Sequence, residues 1–405
     1  MARPLKSREA LEAIFRPKSV AVIGASSSPE KWGFKIFKNI IDAGFQGPLY
    51  PINPRGGEIL GFRCYPSVKE VEGAIDLGVI VIPAKLAPEA IRDLGEKGIK
   101  AAIDITGRFS EVGPEGEALQ RRLVEEAERY GVSVIGPNCQ GVNNPYHGFC
   151  ASWPLLKERG HIAILSQSGT VGAALMDWAA QERLGVSAFV SMGNRADVDE
   201  ADLIAYLNTD EHTKAIALYL EGVKDAPKFL EAVKGLKKPL IVLKPGRTEA
   251  GRRAAESHTK SLAGKDEVYR GVFKQFHIHR AETLEELYDF AKALAYLNRP
   301  KGKKILIVTS SGGSGVIATD QAAEEGLDVA PLPQTLAEQL RSFLPSHFIV
   351  GNPLDLTGDA TAELYRQVAE AAAPHYDTIV LLFGDPIEGA SEVVSKDRGD
   401  LVIFL

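Results

Sequence analysis

The same pattern occurs three times in this sequence, as Val20-Ala-Val-Ile-Gly-Ala-Ser-Ser-Ser28, as Ile162-Ala-Ile-Leu-Ser-Gln-Ser-Gly-Thr170 and as Ile305-Leu-Ile-Val-Thr-Ser-Ser-Gly-Gly-Ser314. Each copy is a short apolar run, followed by a turn rich in serine and glycine and then by a helical pattern. The copies begin about 140 residues apart, which is far longer than a solenoid repeat and typical of successive domains. We therefore predict three domains, over residues 1–145, 146–298 and 299–405.

Each interval continues with apolar runs of strand length that alternate with helical stretches. Such runs occupy residues 77–82 and 101–105, 186–191 and 215–220, and 305–309, 327–329 and 378–383. Continuous Val, Ile and Leu between helices are typical of parallel strands that are covered on both faces. The predicted fold class is α/β, with a doubly wound sheet in each domain. The apolar residues 401–405 are expected to form a last strand or to mark a trimmed third domain.

The composition excludes several classes of protein. Among 405 residues, Lys and Arg number 47 and Asp and Glu 53, so the net charge is −6 and non-specific nucleic-acid binding is not expected. The apolar runs are too short to span a membrane. The three cysteines cannot form a disulfide framework, and no Cys/His spacing resembles a metal site. We expect a cytoplasmic protein with no membrane partner and no metal of its own.

The first turn, Gly24-Ala-Ser-Ser-Ser28, is a candidate phosphate or nucleotide site. Ligands of such sheets bind at the carboxyl ends of the strands, where helix N-termini offer free N–H groups to phosphate. The dinucleotide motif Gly-x-Gly-x-x-Gly is absent, and the second strand ends in Asn53-Pro-Arg55 instead of an acidic residue, which disfavours NAD. Arg55 suits a phosphate on the ribose, as in NADP or the 3′-phosphate of coenzyme A. A helix-starting turn with a solvated arginine is the alternative.

The second turn, Ser166-Gln-Ser-Gly-Thr170, places three hydroxyls and a glycine where a helix begins. These hydroxyls can cap the helix or hold an anion, and the residues alone leave both readings open. A hydrolase nucleophile elbow requires Gly-x-Ser-x-Gly, which neither Ser168 nor Ser314 satisfies.

A single histidine lies in the small-residue stretch Ala254-Ala-Glu-Ser-His-Thr-Lys-Ser-Leu-Ala-Gly264. Arg252 and Arg253, just before it, replace the Lys-Ser/Thr of a Walker A loop, so a P-loop is excluded. Nearby cations would stabilise the added negative charge of a phosphohistidine, although a solvated surface histidine is the plain alternative. These cations are Arg247, Arg252, Arg253, Lys260 and Lys265.

Seven motifs occur in one order along the chain. They are Val20-Ala-Val-Ile-Gly-Ala-Ser26, Gly136-Pro-Asn-Cys-Gln-Gly141, Ser166-Gln-Ser-Gly-Thr170, Gly193-Asn-Arg-Ala-Asp-Val-Asp199, Tyr219-Leu-Glu-Gly222, Ser257-His-Thr-Lys-Ser-Leu-Ala-Gly264 and Gly351-Asn-Pro-Leu-Asp-Leu-Thr-Gly358. Together they resemble the α subunit, or α-type region, of ADP-forming acyl-CoA (acetyl-CoA) synthetases in the succinyl-CoA synthetase superfamily. The resemblance covers almost the whole chain. It implies a CoA-binding Rossmann-like domain followed by two flavodoxin-like domains.

The resemblance also implies a chemistry. Acyl-CoA and phosphate give acyl phosphate and CoA, the phosphoryl group passes to His258, and a nucleoside diphosphate then receives it. Glu221 is implied to hold and polarise the imidazole, which agrees with the need of a nucleophilic histidine for an orienting carboxylate. The implied phosphate-binding residues are Ser166, Ser168, Gly169 and Thr170. The implied coenzyme A site is lined by Gly24, Ala25, Ser26, Asn53, Arg55, Pro83, Thr106 and Asn138.

Two departures from the family pattern qualify these expectations. Lys260 stands where the histidine motif usually has glycine, so a positive φ would be strained there unless the added cation grips phosphate. No ATP-grasp sequence follows the third domain, so ATP or ADP with Mg²⁺ is expected on a partner ATP-grasp β subunit or on a missing fused segment. A CoA-sensing or acyl-CoA-sensing subunit without phosphoryl transfer is the alternative function. An NADP oxidoreductase would depend on Arg55 alone.

Overall fold

The computed structural model describes residues 3–153, 155–259, 264–297, 299–384, 386–390 and 393, with the backbone alone for 255–259. The chain divides into two compact units, Met1–Ala295 and Tyr296–Leu405.

The first sheet of unit 1 has five parallel strands in the order β2–β1–β5–β6–β7, and β3 and β4 form a separate antiparallel pair. The interior strand that contains Val20, Ala21 and Val22 is inaccessible to solvent at these residues, because helices cover both faces of the sheet. The elements are α1 Arg8–Phe15, β1 Val20–Ile23, α2 Trp32–Asp42, β2 Leu49–Ile52, β3 Glu58–Ile59, β4 Phe62–Arg63, β5 Leu77–Ile80, α3 Ala87–Glu96, β6 Ala101–Asp104, α4 Pro114–Tyr130 and β7 Ser133–Ile135.

The second sheet of unit 1 has seven strands in the order β14–β13–β12–β10–β11–β8–β9. Five strands are parallel, and the hairpin β8–β9 extends the sheet by pairing antiparallel with β11. The elements are β8 Gly141–Asn144, β9 Phe149–Ser152, β10 Arg159–Ser166, α5 Gly169–Gln181, β11 Val186–Ser191, α6 Glu200–Leu207, β12 Ala215–Tyr219, α7 Ala226–Lys234, β13 Leu240–Leu243, α8 Glu249–Thr259, α9 Asp266–Gln275, β14 His279–Ala281 and α10 Leu284–Tyr296.

One hydrophobic core connects the two sheets of unit 1, with members from Leu11 to Ile278. Helix α1 contributes to this junction, because Phe15 stacks on Tyr206 of α6 with ring centroids 4.6 Å apart. The Asn144 amide of β8 donates to the Phe15 carbonyl at 2.9 Å. These contacts attach α1 to the second sheet and to a helix that covers it.

Unit 2 contains a parallel sheet of three described strands, in the order β16–β15–β17. The prediction of a strand at residues 327–329 is wrong. Only Asp328 pairs, through an isolated bridge with Lys304, and Leu327 is 39% exposed after the turn at Gly326. The predicted strand 401–405 lies outside the described residues. The elements are β15 Ile305–Thr309, α11 Gly312–Glu324, α12 Gln334–Phe343, β16 Leu354–Asp355, α13 Ala362–Ala372 and β17 Thr378–Leu382.

The predicted α/β class with parallel sheets is confirmed by these sheets. None of the helices in the described part of the chain has the length and apolar character needed to cross a lipid bilayer.

Candidate functional site

A cavity of about 510 Å³ opens at the carboxyl end of β1, and we call it the Gly24 cavity. Gly24 has a φ of +94°, and a Cβ at this position would approach the carbonyl oxygen of Val81 to 2.2 Å. Only glycine fits this turn, which leaves the main chain close to a bound group. The lining residues are Gly24, Lys31, Trp32, Gly33, Ile36, Val81, Ile82, Pro83, Ile105, Thr106, Gly107, Cys139, Gln140 and Trp153.

Three of the residues predicted to bind coenzyme A line this cavity, namely Gly24, Pro83 and Thr106. A further cavity of about 700 Å³ shares Pro83, Thr106 and Gly107 with it, so the open space continues past β5 and β6. The apolar walls, the glycine turn and this extended space fit a long ligand with an anionic end such as coenzyme A.

The other predicted residues of the Gly24 turn support its shape. The Asn53 side chain donates to the Ala25 carbonyl at 2.8 Å and accepts from the Arg55 N–H at 3.0 Å. The Ser26 hydroxyl accepts from the Ser28 N–H at 3.1 Å. The Arg55 side chain is exposed and lines neither this cavity nor the one beside it, so its contact with a terminal phosphate stays a prediction.

Asp104, at the end of β6, is a buried acid that the sequence analysis did not single out. Burial raises its pKa to about 7, and hydrogen bonding from Thr106 opposes this shift. Its Oδ1 accepts from the Thr106 N–H at 3.0 Å, and its carbonyl accepts from the Cys139 thiol at 3.2 Å. The sequence signal that could have identified Asp104 is an acidic residue at the end of an apolar strand.

A second cavity, of about 490 Å³, lies at the carboxyl ends of β10 and β12, and we call it the Glu221 cavity. Ser168 caps α5 there, and its hydroxyl accepts from the Val171 N–H at 3.5 Å. Ser168, Gly169 and Thr170 line the cavity, whereas the buried Ser166 hydroxyl donates to the Ser168 carbonyl at 2.5 Å. The first N–H groups of α5 therefore face a space that can hold an anion.

Glu221, which follows β12, lines the same cavity as the α5 N-terminus. Its N–H donates to the Gln167 side-chain oxygen at 2.8 Å, and the Gly222 N–H donates to the same oxygen at 3.2 Å. The structure thus brings Glu221 together with the predicted phosphate turn. His258 lies in the last turn of α8, but its side chain is outside the described residues, as is Lys260. The pairing of Glu221 with His258 stays a prediction.

Asn138, predicted for coenzyme A, lies instead at the rim of the Glu221 cavity. Its amide donates to Asn194 Oδ1 at 3.2 Å, and Asn194 Nδ2 donates to Glu111 Oε2 at 2.7 Å. Asn194 therefore links loops of the first sheet to the second. Its motif, Gly193–Asp199, was quoted from the sequence without a role for this residue.

Arg195 and Lys224 are cationic residues of the Glu221 cavity that sequence reasoning missed. Arg195 is buried, and its Nη1 donates to Glu200 Oε2 at 3.1 Å and to the Gly222 carbonyl at 2.7 Å. Lys224 is exposed as a whole, but its Nζ donates to the Asn194 carbonyl at 2.6 Å. Burial of this ammonium and the charge of Arg195 lower the pKa of Lys224 to about 8.

The two cavities are adjacent, because Cys139 and Gln140 line both of them. Among the residues that the structure describes, no group of three or more His, Cys, Asp or Glu side chains could hold a metal ion. The arrangement offers a site for a long ligand next to an anion site that contains a carboxylate.

Three family models match the chain in succession. A CoA binding domain matches residues 18–145, a succinyl-CoA ligase like flavodoxin domain matches 159–294, and a ligase-CoA domain matches 305–384. The first model contains the Gly24 turn, and the second contains the α5 N-terminus and Glu221.

Similar proteins are ligases. The chain is 45% identical over 375 residues to the alpha subunit of acetate–CoA ligase [ADP-forming] I from Pyrococcus furiosus, covering 90% of this chain and 80% of that protein. It is 44% identical to acetate–CoA ligase [ADP-forming] from Methanocaldococcus jannaschii, of which it spans 50%. A structure of dinucleotide forming acetyl-coenzyme A synthetase 1 from Ca. Korarchaeum cryptofilum, in complex with phosphate and ADP, matches with a TM-score of 0.91 and 36% identity, over 98% of this chain and 88% of that one.

The fold is that of a succinyl-CoA-ligase-like protein with a CoA-binding domain. The chain belongs to the family of alpha subunits and alpha-type regions of ADP-forming acetate–CoA and acyl–CoA ligases. This confirms the resemblance read from the sequence and favours the catalytic role over the sensing subunit and over an NADP oxidoreductase.

Proposed function

We propose that this chain transfers the acyl group of an acyl-CoA to phosphate and then carries the phosphoryl group on His258. A phosphate oxygen attacks the thioester carbonyl, the C–S bond breaks, and CoA leaves with acyl phosphate as the other product. An imidazole nitrogen of His258 next attacks phosphorus, and the carboxylate leaves. A terminal oxygen of ADP finally attacks the phosphohistidine, the N–P bond breaks, and ATP forms. The placement of Glu221 and the α5 N-terminus on one cavity supports this proposal most directly.

In this proposal the Gly24 cavity holds coenzyme A. Gly24, Pro83 and Thr106 contact the ligand, Ala25, Ser26 and Asn53 shape the turn, and Arg55 meets the 3′-phosphate. Cys139 and Gln140, which line both cavities, mark the place where the thioester comes near phosphate.

Glu221 and the turn that ends in Thr170 have separate tasks. The hydroxyls and N–H groups at Ser168, Gly169 and Thr170 bind phosphate, with Ser166 supporting the turn from beneath. The Glu221 carboxylate accepts the second ring N–H of His258, so that the attacking nitrogen keeps its lone pair and the imidazolium that follows is stabilised.

The nucleotide step requires a partner in this proposal. An ATP-grasp β subunit, or an equivalent fused segment, would hold ADP or ATP with Mg²⁺, which offsets charge on the transferred phosphoryl group. Support comes from the relatives, since some are named as alpha subunits and the single-chain ligases are about twice as long as the matched region.

Three domains over residues 1–145, 146–298 and 299–405, and a cytoplasmic location, complete the proposal.

Labelling of the purified chain with radioactive phosphate and a panel of acyl-CoA thioesters tests this function. We expect an acid-labile, base-stable label, and Glu221→Gln should lower it about 100-fold because the orienting carboxylate is lost. Glu231→Gln is the matched control, since Glu231 is an exposed glutamate of α7. Absence of label with every thioester, together with tight CoA binding, would favour the sensing subunit instead.

A further inference from the structure

We propose that Lys224 is a phosphate-binding residue of the Glu221 cavity, where its ammonium group offsets the charge of the incoming phosphate and of the phosphoryl group on its way to His258. This inference rests on the function proposed above, and it adds a cation that neither the motifs nor the family comparisons assign.

The position of Lys224 carries the inference. Its Nζ donates to the Asn194 carbonyl at 2.6 Å and lies 3.5 Å from the Arg195 carbonyl. Lys224 lines the same cavity as Glu221 and the Ser168–Thr170 turn. An ammonium group and the N–H groups of the α5 N-terminus on the wall of one cavity both favour an anion there.

The charge of Lys224 is uncompensated by any carboxylate in ion-pair contact within the described part of the chain. The buried cations Arg195 and Lys228 are instead paired with carboxylates: Arg195 contacts Glu200 at 3.1 Å, and Lys228 contacts Asp202 at 2.6 Å. Lys224 is held by carbonyl oxygens, which leave at least one of its three N–H donors for a ligand. A cation that is held by carbonyl oxygens, in a cavity that also contains a helix N-terminus, is a site that binding of phosphate would complete.

The surroundings of Lys224 support the same reading. Desolvation and the charge of Arg195 lower its pKa to about 8, and the negative charges nearby only partly oppose this shift. Bound phosphate would raise that pKa again, so phosphate affinity should fall as the pH rises through about 8. The charged groups that face Lys224 or share its cavity are Arg3, Glu111, Arg195, Asp199, Glu200 and Glu221.

Equilibrium dialysis with radioactive inorganic phosphate tests the proposal on the full chain. Lys224→Met should weaken phosphate binding at about pH 7 by roughly tenfold or more, the loss of one charge-assisted hydrogen bond. Lys224→Arg should bind phosphate with an affinity within about threefold of that of the parent chain. Its phosphate affinity should not fall above pH 8, because guanidinium remains charged. Lys238→Met is the matched control, since Lys238 is also held by main-chain carbonyls and also has a lowered pKa.

The labelling reaction gives a second readout. Lys224→Met should raise the phosphate concentration that gives half-maximal labelling by a similar factor. The acyl-CoA concentration that gives half-maximal labelling should stay unchanged, whereas a general loss of structure would change both. Phosphate binding that is absent in the parent chain, or unchanged in Lys224→Met, would overturn the proposal. Lys224-dependent phosphate binding without any label would instead remove the proposed function and retain the anion site.

Discussion

The side-chain oxygen of Gln167 accepts the main-chain N–H of Glu221 at 2.8 Å, and this bond joins the phosphate turn to the end of β12. The same oxygen accepts the Gly222 N–H, while the amide nitrogen donates to the Gly222 carbonyl at 3.0 Å. One side chain therefore sets where the Glu221 carboxylate stands relative to the α5 N-terminus. Gln167 is a positioning residue, because it acts through Glu221.

Gln167→Ala should damage both stability and chemistry. Two N–H groups lose their acceptor in a buried place, which costs about 1–3 kcal/mol in the free energy of unfolding. Labelling by phosphate should fall more than CoA binding, because the defect lies at the Glu221 cavity. Urea unfolding and the labelling assay measure the two effects.

The control for this prediction is Gln181→Ala, at an exposed glutamine near the end of α5 that contacts Asp177. It should change the unfolding free energy by less than about 0.5 kcal/mol. Parallel losses of labelling and CoA binding in Gln167→Ala would contradict a positioning role.

Gly24→Ala should remove coenzyme A binding and destabilise unit 1. The added Cβ would lie 2.2 Å from the Val81 carbonyl oxygen, and φ is +94°. Steric displacement and backbone strain together cost roughly 2–5 kcal/mol, which denaturant unfolding can measure.

Gly44→Ala separates the two causes. Gly44 has a φ of +91°, but a Cβ there would meet no atom within 4 Å. Only the backbone strain of about 1–2 kcal/mol is expected, with CoA affinity retained. Equal losses in both variants would show that the approach of Gly24 to Val81 is unimportant.

Arg55→Glu should weaken coenzyme A binding more than binding of dephospho-CoA, because only the former carries the 3′-phosphate. The expected difference is roughly tenfold or more, from loss of a charge-assisted contact and addition of a repulsive one. Isothermal titration calorimetry with both ligands measures this difference in affinity loss. A higher salt concentration should make the difference smaller. Arg129→Glu, at an exposed arginine of α4, is the control. Equal losses of affinity for both ligands would show that Arg55 does not contact the 3′-phosphate.

Local sequence predicted most of the fold. The strands Val186–Ser191 and Ile305–Thr309 have the predicted bounds, because continuous apolar runs between turns leave few alternatives. The hairpin β8–β9 was not predicted, because Gly141–Asn144 is short and half polar. This segment extends the sheet by pairing with the edge of β11. The strand predicted around Asp328 is absent, because this segment forms only one bridge, with Lys304, and Leu327 stays exposed.

Part of the site was predictable because the ends of parallel strands meet at one edge of a sheet. The Ser168–Thr170 turn and Glu221 share a cavity, as parallel strands that end at one edge require. Asn194, Arg195 and Lys224 could not be assigned from sequence, because their contacts join segments as distant as Glu111 and Gly222. Such long-range side-chain bonds leave no periodic pattern.

Identification of the labelled residue is the strictest test of the proposal that His258 carries the phosphoryl group. The chain, incubated with radioactive phosphate and its acyl-CoA, should carry one acid-labile, base-stable label, and peptide mapping should place it on His258. His258→Asn should abolish this label and keep CoA binding, whereas His277→Asn should not reduce the label, since Asn also tolerates the positive φ of 54° at that exposed position. A label of the same stability and stoichiometry in His258→Asn would contradict the account.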